Sequence, residues 1–430
     1  MKNTVLKNVL FPLYKSEDWW AVWLGLALLG LSSANLLLWI PRIGKWTIDL
    51  SVALSVSNTP YLLALGLLLL LVTSIPVAAM KNNLREYSAG FPIIFILSLV
   101  ALLIASQDYV NYLGLEYVLW ALLIGLFISN VIGAPQWLKS SIKTELFIKI
   151  GLVLLGSEIL FGTLLAAGAF GLFEISVGLF IVWYFCYYLA VKLGLSKSFA
   201  AIMASATSIC GVSAAIAAGG AVKGDPKEVS YTVSLVLLFS IPLLIIMPFI
   251  ARFVGMPDAV AGAWIGGTID TTPAVVAAGA LHSDKAMKVA SIIKMSQNVL
   301  IGIAAFILAI YWTLRVERKM DEKPRALEIW YRFPKFILGF IVASVTSSFL
   351  LIPSLGGSAN IIINQAKIIR SWFFAMAFVC IGLNTNFKDF VKIGHGKPLL
   401  VFTAATLLDI VLSLISAYIF FGGILFPLTV

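Results

Sequence analysis

Charged residues are scarce in this chain. Only 12% of its 430 residues are Asp, Glu, Lys or Arg, whereas 61% are hydrophobic. Soluble domains carry about twice that charged share, so this balance excludes an ordinary soluble protein. The mean hydropathy of +1.02 indicates a chain that crosses a lipid bilayer many times. The expected fold class is therefore an all-α polytopic membrane protein with the bilayer as its surroundings.

Cysteine and histidine are also rare. Cys186, Cys210 and Cys380 lie in apolar segments without metal-ligand spacing, which argues against a disulfide framework and a zinc site. The sequence has no Gly-rich phosphate loop with a lysine, no HExxH motif and no nucleophile–base–orienter set. We therefore expect neither an enzyme nor an ATP-driven pump, and no cofactor apart from Na⁺ or H⁺ as a coupling ion.

The positive charge of the chain indicates membrane topology rather than nucleic-acid binding. The formal net charge is +10, and most of the excess lies in short loops, where Lys and Arg set orientation. Roughly 20 residues per span give about thirteen candidate spans. Counting basic residues on alternate sides favours a cytoplasmic N-terminus in the cell membrane. The first apolar run begins at Trp19 and is too long for the core of a signal peptide, so we expect no cleaved leader.

Two apolar segments, 204–222 and 262–281, are built from Gly, Ala, Ser and Thr instead of Leu, Ile and Phe. Small residues allow close backbone approach, and Gly, Thr and Pro in mid-segment break a helix. A broken helix is tolerated in a bilayer only inside protein or beside a watery cavity, and transporters bind substrates at such breaks. The two segments look alike, but the predicted topology makes them run parallel, which inverted repeats forbid. Either one of them is re-entrant, or they are similar in composition only.

A second pair of segments, 151–168 and 377–394, also look alike, and on this topology they run in opposite directions, as members of an inverted repeat do. We predict a transporter core at 113–430 with two related helical repeats. Residues 1–112 form a preceding membrane extension of about three helices, interpreted as scaffold or dimerisation element.

Asp270 is the strongest candidate for function, because a carboxylate inside a membrane segment is energetically costly. Thr268, Thr271 and Thr272 flank it. Carboxylate, hydroxyls and freed carbonyls suit a hard cation such as Na⁺ or a proton relay. The structural alternative is a carboxylate satisfied by Thr hydroxyls and a helix N-terminus.

Glu158, next to Ser157 in the middle of an apolar span, is a second candidate. It could exchange protons with the transport cycle, or form a structural ion pair for which Lys294 is the expected partner.

Lys294, Gln297 and Asn298 share one helical face by their spacing. This face is expected to contact an anion or to supply a counter-charge for the empty carrier. A lysine that reaches to the membrane interface is the plainer alternative.

Ser208, Cys210, Gly211 and Ser213 mark the break in the first special segment. N–H groups at a half-helix start bind anions, and carbonyls at a half-helix end bind cations. Close helix packing alone is the alternative. Asp409 stands alone in the last span and is a weak coupling candidate.

Several motifs carry a family resemblance. They are LLGSE at 154–158, TSICGVSAAIAA at 207–218, KGDPKEVSYTVSLVLLF at 223–239, AGAWIGGTID at 261–270 followed by VVAAGA, the IIKM run at 292–295, and AMAFVCIGLNTNFKDF at 375–390. With these motifs the chain resembles, from about residue 113 onward, a largely uncharacterised family of bacterial membrane proteins classed as candidate sulfate exporters.

This resemblance implies a secondary transporter for a small inorganic or organic anion such as sulfate or a sulfonate. The family is similar to the superfamily of cation–proton antiporters and bile-acid sodium symporters. That similarity implies a homodimer with inverted repeats, crossed or re-entrant helices and elevator-like alternating access coupled to H⁺ or Na⁺. The common family pattern has His at the position of Asp270 and Asp at that of Thr271. These departures favour a cation–proton antiporter as the alternative; a membrane enzyme or sensor is the second.

Overall fold

The computed structural model describes residues 16–54, 56–112, 115–316, 327–388 and 396–423. These ranges are helical almost throughout and contain no β-strand, only an isolated bridge between Trp46 and Gln107. The longer helices are α1 Glu17–Ser33, α2 Thr59–Ala79, α3 Leu84–Ser106, α4 Tyr117–Phe127, α5 Thr144–Gly156, α6 Phe161–Lys192, α7 Lys197–Ser205, α8 Gly211–Ala221, α9 Pro226–Phe253, α10 Asp258–Thr268, α11 Thr272–His282, α12 Asp284–Tyr311, α13 Phe336–Thr346, α14 Ala359–Asn384 and α15 Lys397–Phe421.

Seven described helical stretches are long and apolar enough to cross a membrane, or up to eight if one bent pair counts as a span. Helices are expected there because every backbone polar group in a bilayer must be satisfied inside the protein. The prediction of an all-α polytopic membrane protein is confirmed. The expected count of about thirteen spans is too high, because several predicted spans are short or broken helices.

The chain divides into two compact units. Met1–Phe161 and Lys335–Phe387 form the first unit, and Gly162–Pro334 and Lys388–Val430 form the second. In the first unit α5 is buried along nearly its whole length and packs against α1, α13 and α14. Helices α4 and α14 cross at Gly125 and Gly382, where an added Cβ would meet backbone atoms of the opposite helix. Small residues at this crossing permit direct backbone contact.

The helices before residue 113 pack inside the first unit, since α1 contacts α5 and α13 while α3 contacts α4 and α14. The division into compact units therefore does not follow the predicted boundary between 112 and 113. The predicted membrane extension at 1–112 and transporter core at 113–430 stay a prediction.

In the second unit, α10 and α11 form a re-entrant helical hairpin. At its open end, Ser283 Oγ donates to Asp258 Oδ1 at 2.8 Å, so the beginning and the end of the segment adjoin. Gly262 of α10 lies against Ala286, and Gly279 of α11 returns to Met287. Each helix has 11 residues, a length of about 16 Å, which is about half of a bilayer core.

Helices α7 and α8 form a second hairpin, with a π-helical turn at Ala206–Cys210 between them. Ile202 of α7 lies against Gly224, which follows α8. In a straight helix these residues would be about 33 Å apart, so the chain folds back on itself. Gly211 makes the reversal at φ +49° and ψ −111°, a conformation that glycine tolerates best. The stretch Lys197–Ala221 has the length and composition of a span but does not run straight across.

The two hairpins enter from opposite ends of α9. Ser196 and Ser198, at the open end of the first hairpin, donate to Glu228 in the first turn of α9. Arg252, in the last turn of α9, donates to the carbonyl of His282 at the open end of the second hairpin. Both segments are therefore re-entrant and have opposite orientation, as inverted-topology repeats require. That they belong to two related repeats stays a prediction.

Candidate functional site

The tips of the two hairpins meet within the second unit. A Cβ added to Gly211 would lie 2.9 Å from Cβ of Asp270 and 2.6 Å from Cγ1 of Val236. Val236 belongs to the middle part of α9, so the tips meet far from the ends of that helix. Asp270 is only 5% exposed. The two segments that the sequence predicted to form a site are brought together at their breaks.

Lys294 of α12 connects both tips through Gln297. Its ammonium donates to the carbonyl of Ile209 at 3.2 Å and to Oε1 of Gln297 at 2.7 Å. Gln297 Nε2 makes long hydrogen bonds to the carbonyls of Ser208, at 3.5 Å, and Gly267, at 3.4 Å. These carbonyls end the first half of each hairpin, so Lys294 and Gln297 compensate the negative ends of both half-helices.

Lys294 is 1% exposed and interacts electrostatically with Asp270 and Asp409. Among the described residues it forms no ion pair with either carboxylate, and its acceptors are neutral oxygens. It does not reach to the interface, which excludes the plainer alternative considered from sequence.

The second halves of the hairpins begin at the same place. Helix α8 begins at Gly211 and helix α11 at Thr272, and neither N-cap residue, Cys210 or Thr271, makes a side-chain capping bond. Two helix N-termini thus approach each other without side-chain caps. Such ends carry a partial positive charge and N–H groups that bind anions.

Asn298 lies one residue beyond Gln297 and holds the start of α11. Its Nδ2 donates to Thr272 Oγ1 at 3.1 Å. The buried atoms Asn298 Oδ1 and Thr268 Oγ1 have no hydrogen-bond partner among the described residues. Buried polar atoms are normally satisfied, so these two oxygens are open to a ligand or a water molecule.

A small cavity adjoins the tips and has room for about one water molecule or ion of that size. It is lined by Ile175, Gly178, Leu179, Ser208, Gly267, Gln297, Asp409, Ser413 and Ser416. Asp409 is 8% exposed, and Ser413 Oγ donates to its Oδ1 at 3.5 Å. From sequence, Asp409 stood alone in the last span, without a recognisable partner. Asp409, Ser413 and Ser416 are spaced by four and three residues, a signal for one helical face that could have revealed the group.

Other predicted site residues take different positions. The Ser208 hydroxyl donates to Ala204 O at 2.7 Å within its own hairpin, and Cys210 is buried and forms no disulfide. Ser213 is exposed in the first turn of α8, and Thr271 is half-buried at the tip of the second hairpin.

Glu158 belongs to the first unit, and its expected partner was wrong. Arg370 Nε lies 2.6 Å from Glu158 Oε1, and Arg370 Nη2 donates to Oε2 at 3.4 Å. Lys294 belongs to the second unit. The error arose because 212 residues separate the true partners in sequence. Ser157 closes the end of α5 by donating to Leu154 O at 2.7 Å.

Fold and site together define a polytopic helical membrane protein with two opposed re-entrant hairpins in one unit. The chain belongs to the family described as conserved hypothetical protein 698, which matches residues 89–402. The expected membership in an uncharacterised membrane-protein family is confirmed.

Named relatives agree with this assignment. The chain is 41% identical to a UPF0324 membrane protein of Rhodopirellula baltica, over 88% of this chain and 71% of the relative. A relative from Nitratidesulfovibrio vulgaris is 38% identical over 86% of this chain and 66% of its own length. A relative from Nitrosomonas europaea is 30% identical over 91% of this chain and 92% of its own length. No solved structure matches the chain significantly.

Proposed function

We propose that this protein is a secondary transporter of a small anion, of the sulfate or sulfonate kind, coupled to H⁺ or Na⁺. One observation carries the proposal: two half-membrane hairpins of opposite orientation meet tip to tip beside the buried Lys294. Broken helices that meet near the middle of a membrane are the usual construction of a transporter site. A static membrane anchor has no need of such costly breaks.

The preference for an anion rests on local charge. The N-termini of α8 and α11 face the tip region without side-chain caps, and Lys294 adds a full positive charge nearby. The half-helix C-termini, by contrast, are partly compensated by the hydrogen bonds from Lys294 and Gln297. An anion between the two N-termini would complete the arrangement.

A cation–proton antiporter is the second candidate. It is favoured by Asp409 and three serines, which line the cavity beside the tips, and by Asp270 at the meeting point. In either case we propose alternating access in which the second unit carries the site. We also propose that the protein works as a homodimer and is not an enzyme.

The first test is ligand-dependent thermal stability of the purified protein and of Asp270→Asn. Sulfate, sulfonates, carboxylates, bicarbonate, Na⁺ and Li⁺ are compared at two pH values. Stabilisation by an anion that persists in Asp270→Asn supports an anion carrier with Asp270 in coupling. Stabilisation by Na⁺ alone, increasing with pH and lost in Asp270→Asn, rejects the anion cargo and favours the cation antiporter.

Transport itself is then measured in proteoliposomes with the stabilising ion as labelled cargo. Accumulation that follows an imposed proton or sodium gradient supports coupled transport. Absence of flux for every stabilising ion, in vesicles that contain folded protein, contradicts the proposal. The mass of the solubilised particle tests the homodimer.

A further inference from the structure

The cavity beside the hairpin tips contains a group of oxygen-bearing residues that the proposed anion site does not use. Asp409, Ser413 and Ser416 lie on one face of α15 and line the cavity together. Ser208 and Gly267 line it from the two hairpins. We propose that this cavity is a sodium site and that Asp409 is its charged ligand.

The chemistry of the lining matches this ion. Na⁺ is a hard cation that prefers carboxylate, hydroxyl and carbonyl oxygens, and half-helix C-terminal ends supply such carbonyls in transporters. Ser208 lies in the turn that follows α7, and Gly267 lies in the last turn of α10. Their carbonyls receive long hydrogen bonds from Gln297, at 3.5 and 3.4 Å. Because a carbonyl oxygen has two lone pairs, both retain acceptor capacity.

The size of the cavity supports the same ligand. It admits about one water molecule, a size that suits a bare monovalent ion. Asp409 is 8% exposed, so its carboxylate is held away from bulk water. Burying a charge in this way is costly unless other groups or an ion compensate it.

The charge balance gives the ion a role. The charged groups around Lys294 are Asp270 and Asp409, with the thiol of Cys210 as a further titratable neighbour. With the lysine and both carboxylates ionised, these three side chains sum to one negative charge. A bound sodium ion would offset that charge, and the site would then accept an anion at the helix N-termini at lower electrostatic cost. This coupling rests on the proposed function, whereas sodium binding at Asp409 does not.

The test is sodium binding by the full-length purified protein in detergent. Choline chloride is replaced by NaCl or KCl at constant ionic strength, the unfolding midpoint is recorded, and binding of labelled ²²Na⁺ is measured directly. Wild type, Asp409→Asn, Ser413→Ala and the control Thr403→Ala are compared. Thr403 is on the same helix, and its hydroxyl donates to Leu399 O at 2.7 Å.

We expect Na⁺, but not K⁺, to raise the midpoint of the wild type and of Thr403→Ala by mass action. Asp409→Asn should lose both the shift and the bound ²²Na⁺. Ser413→Ala keeps the carboxylate and should weaken the apparent sodium affinity about 10-fold. If Asp409→Asn does not fold, this variant tests the sodium site in its place. An unchanged sodium response in Asp409→Asn or in Ser413→Ala overturns the assignment.

Three further outcomes separate this site from the proposed cargo. No sodium response in the wild type, with a midpoint that depends only on pH, overturns the sodium site and indicates proton binding instead. Sodium binding that depends on Asp409, without stabilisation by any anion, supports the sodium site while the anion cargo fails. Anion stabilisation with a sodium response independent of Asp409 leaves the transporter standing and rejects this inference.

Discussion

Each unit buries charged side chains, and the two units surround them differently. In the first unit Arg370 contacts both carboxylate oxygens of Glu158, at 2.6 and 3.4 Å. In the second, Lys294 donates to a carbonyl and an amide oxygen, although Asp270 and Asp409 are close enough to interact with it. Removing one partner of a directly paired buried charge leaves the other uncompensated, which strongly destabilises a fold. Lys294 instead bonds to neutral oxygens although carboxylates lie nearby, and carboxylates inside a membrane segment are candidates to bind a mobile ion.

The largest expected effect is that of Lys294→Met. The change removes the donor of Ile209 O and Gln297 Oε1, and it removes a buried cation that interacts with two buried carboxylates. We therefore expect a loss of about 3–5 kcal/mol in unfolding free energy. Stabilisation by anions should disappear as well. Thermal and denaturant unfolding in detergent measures the first effect, and the ligand screen measures the second.

Lys288→Met is the matched control on the same helix. Lys288 forms a partly exposed pair with Asp284 at 3.1 Å, and its loss should cost less than about 1 kcal/mol. Equal stability of the two variants, with anion responses intact in both, would contradict the role given to Lys294.

Arg370→Met should destabilise by a similar amount, about 3–5 kcal/mol, because Glu158 would remain buried without its partner. Here, however, the response to ions should survive. The double variant Glu158→Gln with Arg370→Met should recover most of the loss, since no unpaired charge remains. A double-mutant cycle of unfolding free energies checks this. Loss of the ion response in the double variant would show that this pair, too, belongs to the transport machinery.

Gly211→Ala should cost about 1–3 kcal/mol, because its φ of +49° disfavours a side chain. The added Cβ would also meet Val236 and Asp270, forcing the hairpin tips apart. The midpoint should fall, and anion affinity should fall with it. Gly30→Ala in α1 has open space around it and should be neutral or slightly stabilising. Unchanged anion affinity in Gly211→Ala would indicate that tip contact is not required for binding.

The smallest effect is expected from Thr272→Val. It removes the acceptor of Asn298 Nδ2 at the start of α11, a loss of about 1 kcal/mol. Ser371→Ala is the comparison, since that exposed hydroxyl bonds only within its helix, to Lys367 O. If the two variants are equally stable and bind ions equally, the Thr272–Asn298 contact contributes nothing to the site.

Much of the site could be predicted because its signals are local. The small residues of 204–222 and 262–281 mark helix breaks, which a bilayer tolerates only inside protein or beside a water-filled cavity. The helical spacing of Lys294 and Gln297 put them on one face, and they do form a hydrogen bond. The roles of these residues in binding stay a prediction, as do the cytoplasmic N-terminus and the substrate.

The sequence alone determined that the chain is an all-α membrane protein and where its helices break. Hydrophobicity, small residues and the need to hydrogen-bond every backbone group within the bilayer all act between neighbouring residues. Tertiary structure decided that both broken segments turn back, that their tips meet at Lys294, that Arg370 neutralises Glu158, and that Asp409 faces the tips. Each of these depends on contacts between residues far apart in the chain. Packing of one helix against another selects such partners, and no local pattern encodes which distant carboxylate, carbonyl or cation will fill a given position.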